Sequence, residues 1–401
     1  MEKKFRRIGV LTSGGDAPGM NAAIKSVTAA ALAHGVEVVG IVGGYRGLID
    51  NNVKYLTTKD VADIVSRGGT ALYSARCTEF MEEAGVMKAV ETCKKHEIDG
   101  MVVIGGDGTF RGAYDLSAKG IPCIGLPGTI DNDITATDVT IGFDTAMTTG
   151  MDICDKLRDT CESHSRCNVV ELMGRNAGWL TAAAALATEK GCGPDLIYCP
   201  ENAFDIDAFI ERVKGIYEKE GKCIVAVSEG IRDAKGKYIS EYGNDLTNAK
   251  DGFGHAQLGG LAAYLAGVLK EATGAKVRGI ELSLLQRCAA HCASQTDIEE
   301  SFNAGRIAVE KAVEGVTDRM VGFLRDYDEN GNYVCKYGVF DLLGVANTEK
   351  KIPAEWFNET KDGLTEDYIK YALPLIQGET RMIKQDSLPR FTRLKKIKAT
   401  V

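Results

Sequence analysis

Three glycine-bearing loops, each placed directly after a short apolar run, restrict this chain more than any other feature. The first is Thr12-Ser13-Gly14-Gly15-Asp16-Ala17-Pro18-Gly19-Met20-Asn21, after the run 8–11. The second is Gly105-Gly106-Asp107-Gly108-Thr109, after 101–104. The third is Pro127-Gly128-Thr129-Ile130-Asp131-Asn132-Asp133, after 123–126. Adjacent glycines allow close backbone approach, and a strand-to-helix turn of this kind aims free N–H groups at an anion. Any one such loop is also what an ordinary tight turn looks like.

The rest of the chain extends the same alternation. Strands are expected at 8–11, 36–42, 100–104, 123–126, 168–173, 196–199 and 222–228. Helices are expected at 21–33, 58–67, 83–95, 109–118, 151–161, 179–189 and 257–273. Continuous apolar strands alternating with helices predict parallel sheets covered on both faces. The fold class is α/β: two doubly wound, Rossmann-like domains with an active site in the cleft between them. The polar stretch 230–254 reads as a surface excursion and the basic 393–398 as a solvated tail.

Charge narrows the partners. Lys and Arg total 48 against 56 Asp and Glu, a net charge of -8. That balance argues against nucleic acid or a membrane surface, while still allowing a local basic pocket. No apolar run approaches the ~18 residues of a membrane span, and no signal-peptide pattern opens the chain, so a cytoplasmic protein is expected. The 12 Cys fit reduced, mostly packing thiols. Cys288, His291 and Cys292 would share one face of a helix, but no fourth ligand accompanies them, so packing is the expected role.

The second and third loops carry chemistry. A carboxylate between glycines lets the backbone cradle phosphates while Asp107 holds Mg²⁺. Two carboxylates and a hydroxyl in the third loop fit phosphoryl transfer, one Asp accepting the proton of an attacking alcohol.

With these loops in this order, the chain resembles the 6-phosphofructokinase family from residue 8 to about 229. Supporting motifs are Gly68-Gly69-Thr70 running to Ser74-Ala75-Arg76, Ser163-His164-Ser165-Arg166, and Glu171-Leu172-Met173-Gly174-Arg175. Phe253-Gly254-His255 to Gly260 and Gln286-Arg287 are similar to a bacterial branch that mixes ATP- and pyrophosphate-dependent members. The resemblance implies transfer of a phosphoryl group from ATP to the 1-hydroxyl of fructose 6-phosphate, with Mg²⁺. It makes Asp131 the general base, with Thr129 beside it, and Arg76, Arg175 and Gly15 further catalytic positions. Gly15, Tyr45, Arg76, Cys77 and Gly106 to Thr109 would line the donor site, with Asp107 on the metal. Thr129, Ile130, Asp131, Met173, Gly174, Arg175, Glu229 and Arg287 would shape the sugar site. Arg166 and Arg278 would come from a neighbouring subunit, so a homodimer or homotetramer is expected. The domains implied are 1–143 plus about 287–336 for the donor, and 144–286 plus about 337–401 for the sugar phosphate.

Two positions select the donor. Pyrophosphate users resemble Gly-Gly-Asp-Asp and Pro-Lys-Thr-Ile-Asp-Asn-Asp; Gly108 and Gly128 here are expected to leave room for a nucleotide. Pyrophosphate remains the alternative donor, and Leu284, at the place of a substrate-contacting His, leaves a related sugar phosphate as an alternative acceptor. A subunit that binds sugar phosphate without turnover is a further reading. Positions of the family's effector site fall at Lys25, Ala29, Thr58, Asp63 and Arg158, so weak response to ADP or phosphoenolpyruvate is expected.

Overall fold

The computed structural model of the chain describes residues 5–191, 193–243, 258–345 and 349–390. Its main strands are β1 (Arg7–Thr12), β2 (Glu37–Ile41), β3 (Val53–Leu56), β4 (Gly100–Gly105), β5 (Cys123–Pro127), β6 (Arg166–Leu172), β7 (Leu196–Tyr198), β8 (Cys223–Ser228), β9 (Lys276–Glu281), β10 (Arg319–Tyr327) and β11 (Tyr333–Asp341). Seven of them form a sheet in the order β11-β10-β5-β4-β1-β2-β3, and four form a second sheet, β7-β8-β6-β9. The second sheet is parallel throughout. The first is parallel from β2 to β10, with antiparallel β3 and β11 closing its two edges.

The sequences explain the layering. β4 and β8 read GMVVIG and CIVAVS and are buried at every position. Each such Val or Ile contributes roughly 1.5–3 kcal/mol relative to exposure, which only helices on both faces can secure. The helix Gln295–Glu314 begins at Ser294, whose side chain accepts from the Asp297 backbone N–H, and stops at Gly315 with φ 88°. It lies against the helix Met20–Ala33. Gly305 permits that contact, since a Cβ there would sit 2.8 Å from the Ala23 carbonyl oxygen.

Several expectations need correction. Residues 58–67 form turns rather than a helix. Buried Val61 and Ile64 imitate helical spacing, while Asp60 bonds back to the Thr57 backbone and hydroxyl and holds a turn. The helix expected at 151–161 spans Phe143–His164. The small-residue segment 179–189 is one α-turn, Trp179–Ala182, continued as 3-10 helix through Lys190. The helix expected from 257 is described from Leu261 to Thr273. Residues 288–292 do not form one helix face, because Ala289 breaks the backbone between Leu285–Cys288 and Ala290–Cys292. The boundary expected near 336 falls inside β11, which pairs with β10 through Asp341. Phe253, Gly254, His255 and the tail 393–398 lie outside the described residues. The described cysteines are free thiols. No described helix is long and apolar enough to cross a membrane.

Candidate active site

All three loops leave the carboxyl ends of adjacent parallel strands, the usual place for a ligand in such sheets. They are stitched together: Ser13 N donates to Ile104 O, and Gly128 N donates to Gly105 O, each at 3.0 Å. A Cβ on Gly105 would strike Ser13 O and Thr109 Oγ1, so glycine is required for this approach. The turn segment after residue 66 is strapped onto the first loop. Asn21 Nδ2 donates to Arg67 O and Gly69 O, and Ala71 N returns a bond to Asn21 Oδ1. Thr70 N reaches Asp16 Oδ1 at 3.2 Å, and Ser74 Oγ reaches Gly14 O at 2.9 Å. This strap carries exposed Arg76 and half-buried Cys77 beside the loops. Burial pushes the Cys77 thiol up.

On the donor side, Asp107 and Gly108 are exposed at the start of the helix Asp107–Ser117, whose N-cap is Gly106. The two glycines expected to select the donor differ. Nothing lies within 4 Å of where a Gly108 Cβ would be, whereas a Gly128 Cβ would sit 3.0 Å from Ile104 and 3.1 Å from Met20. Space is open beside Gly108, whereas Gly128 faces packed side chains. Tyr45 also departs from expectation as a lining residue. Its ring is buried and stacked on Phe80 at 4.1 Å, and its hydroxyl donates to Thr109 O at 2.6 Å. It supports the second loop from beneath. Among the described residues no group of three or more His, Cys, Asp or Glu could hold a metal. Exposed Asp107 still fits Mg²⁺, which commonly takes one or two carboxylates plus substrate phosphates.

On the acceptor side, Asp131 N donates to Thr129 Oγ1 at 3.2 Å, and that hydroxyl donates to Asp131 Oδ2 at 3.4 Å. The Ile130 side chain is buried in the core. Met173 N donates to Gln286 Oε1 at 2.8 Å, and Gly174 N donates to Glu229 Oε1 at 3.4 Å. Gly174 has φ 145°, and a Cβ there would sit 2.7 Å from both Ala177 O and Ser228 Oγ. Burial raises the Glu229 carboxyl, as does the charge of Asp131, while Arg175 and Arg287 oppose the rise. These four groups therefore share one electrostatic field. Arg287 also reaches the donor side: its Nη1 is 3.5 Å from Asp16 O and would be 2.6 Å from a Gly15 Cβ. Arg175 Nε is buried without a protein partner, as is Arg166 Nε.

Arg166 and Arg278 are placed elsewhere. Arg166 opens β6 at its amino end, while Met173 to Arg175 follow its carboxyl end. At about 3.3 Å per residue the strand separates them by roughly 20 Å. Arg278 is exposed on β9 opposite Asn168. Leu284 is 68% exposed. At the effector positions, Lys25 Nζ donates to Ala62 O at 2.9 Å, and Arg158 pairs with Asp155 and Asp159.

Lys350 was not legible in the sequence. Its ammonium donates to Asn132 Oδ1 at 3.1 Å, Thr137 O at 3.0 Å and Asp138 O at 2.9 Å. Burial pulls it down to about 7. Asp133 is pushed up to about 7 by burial and then by the Asp131 charge. No spacing signal could connect Lys350 to a loop 218 residues earlier.

Glu171 at the end of β6 gives a testable pH dependence. Its carboxylate accepts from Ala262 N at 2.8 Å, and burial pushes it from 4.5 to about 7. A folded value above the unfolded one means a contribution fully present below 4.5 and lost as pH rises through 7. Thermal melts of Glu171→Gln between pH 5 and 8 are expected to fall less steeply with rising pH than wild type. An unchanged slope would refute this.

Comparison with known proteins gives the family. The family described as Phosphofructokinase matches residues 7–294. The chain belongs to the phosphofructokinase family. The ATP-dependent 6-phosphofructokinase of Bacillus cereus (strain B4264) is 49% identical over 281 residues, covering 69% of this chain and 86% of that protein. The Oceanobacillus iheyensis ATP-dependent 6-phosphofructokinase is 48% identical over the same shares. Among solved structures, the pyrophosphate-dependent phosphofructokinases of Marinobacter aquaeolei and Nitrosospira multiformis have TM-scores of 0.87 and 0.88. Both are 28% identical and cover 99% of this chain and 98% of their own. The phosphofructokinase match thus ends at 294, while the structural likeness continues through the C-terminal segment.

Proposed function

We propose that this protein transfers the γ-phosphoryl group of ATP to the 1-hydroxyl of fructose 6-phosphate, giving fructose 1,6-bisphosphate and ADP. The observation that carries ATP over pyrophosphate is the open space beside Gly108 at the mouth of the second loop. The names of the 48–49% identical relatives support the same donor.

Asp131 accepts the proton of the sugar hydroxyl, held by its two bonds with Thr129. Backbone N–H groups of the first two loops bind donor phosphates, and Arg76 and Arg175 spread charge over the transferring oxygens. Glu229 and the Met173–Gly174 backbone orient the sugar, and Arg287 spans both sides of the cleft. Mg²⁺, when bound through Asp107, supplies charge neutralisation between the phosphates. Arg166 and Arg278 serve the sugar phosphate of a neighbouring copy, which the distance along β6 favours, so the active unit is at least a homodimer. The donor half comprises 1–143 and a returning segment that extends past 336 to the end of β11. The sugar half comprises 144–286 and the remaining C-terminal residues.

Initial rates with fructose 6-phosphate and either ATP or pyrophosphate, at matched Mg²⁺, test the reading. ATP is expected to support turnover at least ~10²-fold above pyrophosphate, the scale set by one misplaced charge in a partly buried site. Turnover with pyrophosphate alone would reverse the donor; preference for another sugar phosphate would reverse the acceptor.

A further inference from the structure

The segment from Glu349 to Ile352 lies outside the region of the phosphofructokinase match, yet it ties together the loops that follow β5 and β6. Toward the loop after β5, Lys350 N donates to Asp133 O at 2.8 Å, and Ile134 and Glu349 form an antiparallel bridge. Toward the loop after β6, Glu349 Oε1 accepts from Asn176 Nδ2 at 2.7 Å, and Lys350 O accepts from Trp179 Nε1 at 2.9 Å. Glu201 Oε1 closes the tie, accepting from Gly178 N at 2.9 Å and from Ile352 N at 3.3 Å. One short strap therefore holds the neighbours of Asp131 and the neighbours of Arg175.

Within the strap, the Lys350 ammonium spends its hydrogen bonds on the loop after β5: on Asn132 Oδ1, Thr137 O and Asp138 O. An ammonium has three N–H donors, so each is engaged. The charge is costly there, since burial pulls it down to about 7. Asn132 follows Asp131 directly, is buried, and sits in the left-handed region at φ 52°. A side chain in that region persists where its surroundings over-determine it. Here the carboxamide is clamped at both ends: Nδ2 donates to Tyr371 Oη at 2.8 Å, and Oδ1 accepts from Lys350 at 3.1 Å. Tyr371 Oη in turn donates to Asp138 O at 2.6 Å, which closes the clamp on the same loop.

We propose that Lys350 is a positioning residue for phosphoryl transfer, fixing the Asn132 carboxamide and so setting the direction from which the Asp131 carboxylate meets the sugar hydroxyl. Lys350 has this role only with Asp131 as the base. A misplacement of 1 Å at the reacting groups costs about 10²-fold in rate. The bonds of Met173 N and Gly174 N, to Gln286 and Glu229, do not pass through the ammonium. Its loss therefore falls on kcat rather than on the sugar KM.

Lys350→Met keeps the backbone bonds of the strap and nearly the length of the side chain while removing the donors. In the full-length enzyme, kcat with fructose 6-phosphate and ATP is expected to fall at least tenfold, with the sugar KM within threefold of wild type. Hydrogen exchange of the amides of residues 132–138 is expected to quicken at least tenfold, whichever residue is the base. Asn132→Gly is the second variant, because glycine adopts φ 52° without strain and lacks the carboxamide. It is expected to lower kcat at least as much as Lys350→Met. The two changes together are expected to cost less than threefold beyond Asn132→Gly alone, since both break one linkage. Wild-type kcat in Lys350→Met, a loss carried by KM, unchanged exchange, or a double-variant loss equal to the product of the single losses would overturn the role. If Lys350→Met does not fold, wild-type kcat in Asn132→Gly overturns it alone. Asp131→Asn tells the two failures apart: wild-type kcat there removes the base itself, whereas a large loss there beside an intact Lys350→Met removes only Lys350.

Discussion

Asp131→Asn is expected to lower kcat for fructose 6-phosphate by about 10²–10⁴-fold, the usual contribution of a positioned general base. Asparagine keeps the shape and can still accept from the Thr129 hydroxyl, so the 3.4 Å pair is largely preserved. What it cannot do is take a proton. The thermal midpoint is expected to stay within ~2–4 °C, the shift that about 1 kcal/mol produces in a chain of this class. The sugar KM is expected to change far less than kcat. A variant retaining wild-type kcat would remove Asp131 from the reaction, and Asp133 would then be the remaining acid of the loop.

Gly108→Asp is expected to produce the second large effect, a loss of ATP-dependent kcat/KM of about 10²–10³-fold. The new carboxylate enters open space, so it displaces no protein atom. It also falls in the first turn of the helix Asp107–Ser117, where a negative charge is favourable by roughly 0.3–1 kcal/mol. Folding is therefore undisturbed while a negative charge stands where a nucleotide phosphate would come. Two like charges ~4 Å apart at an effective dielectric near 20 repel by about 4 kcal/mol, close to three powers of ten in rate. Measured kcat/KM within threefold of wild type would place the nucleotide elsewhere. Gly128→Lys is a different perturbation, because its Cβ would press on Ile104 and Met20 and couple any change in donor use to a loss of stability.

How much of this was legible beforehand depended on whether the signal was local. β1, β4 and β5 and their loops could be read because apolar runs ending in glycine carry both the strand and the turn within a dozen residues. The segment 58–67 misled because Val61 and Ile64, three apart, satisfy a turn docked on the core as well as a helix. Gly108 and Gly128 look alike in sequence; only the backbone direction separates a residue facing solvent from one facing Ile104. Tyr45 and Lys350 were misjudged or missed for a related reason. A hydroxyl buried on Thr109 O and an ammonium buried on Asn132 acquire their roles from elements distant along the chain. Arg166 is the converse, recognisable by motif yet at the amino end of its own strand, and Arg278 sits in the middle of β9.

β10 aligns with β5 through Arg319 beside Ile124 and Met320 beside Gly125, immediately ahead of Pro127. Without that neighbour, the strand that leads into the loop carrying Thr129 and Asp131 would become a bare sheet margin with unpaired amides and a tendency to self-associate. β10 and β11, beyond the family match that ends at 294, are thus part of the larger sheet rather than an appendage. Ending the chain at 294 would therefore bare the β5 edge just ahead of the loop that carries Asp131.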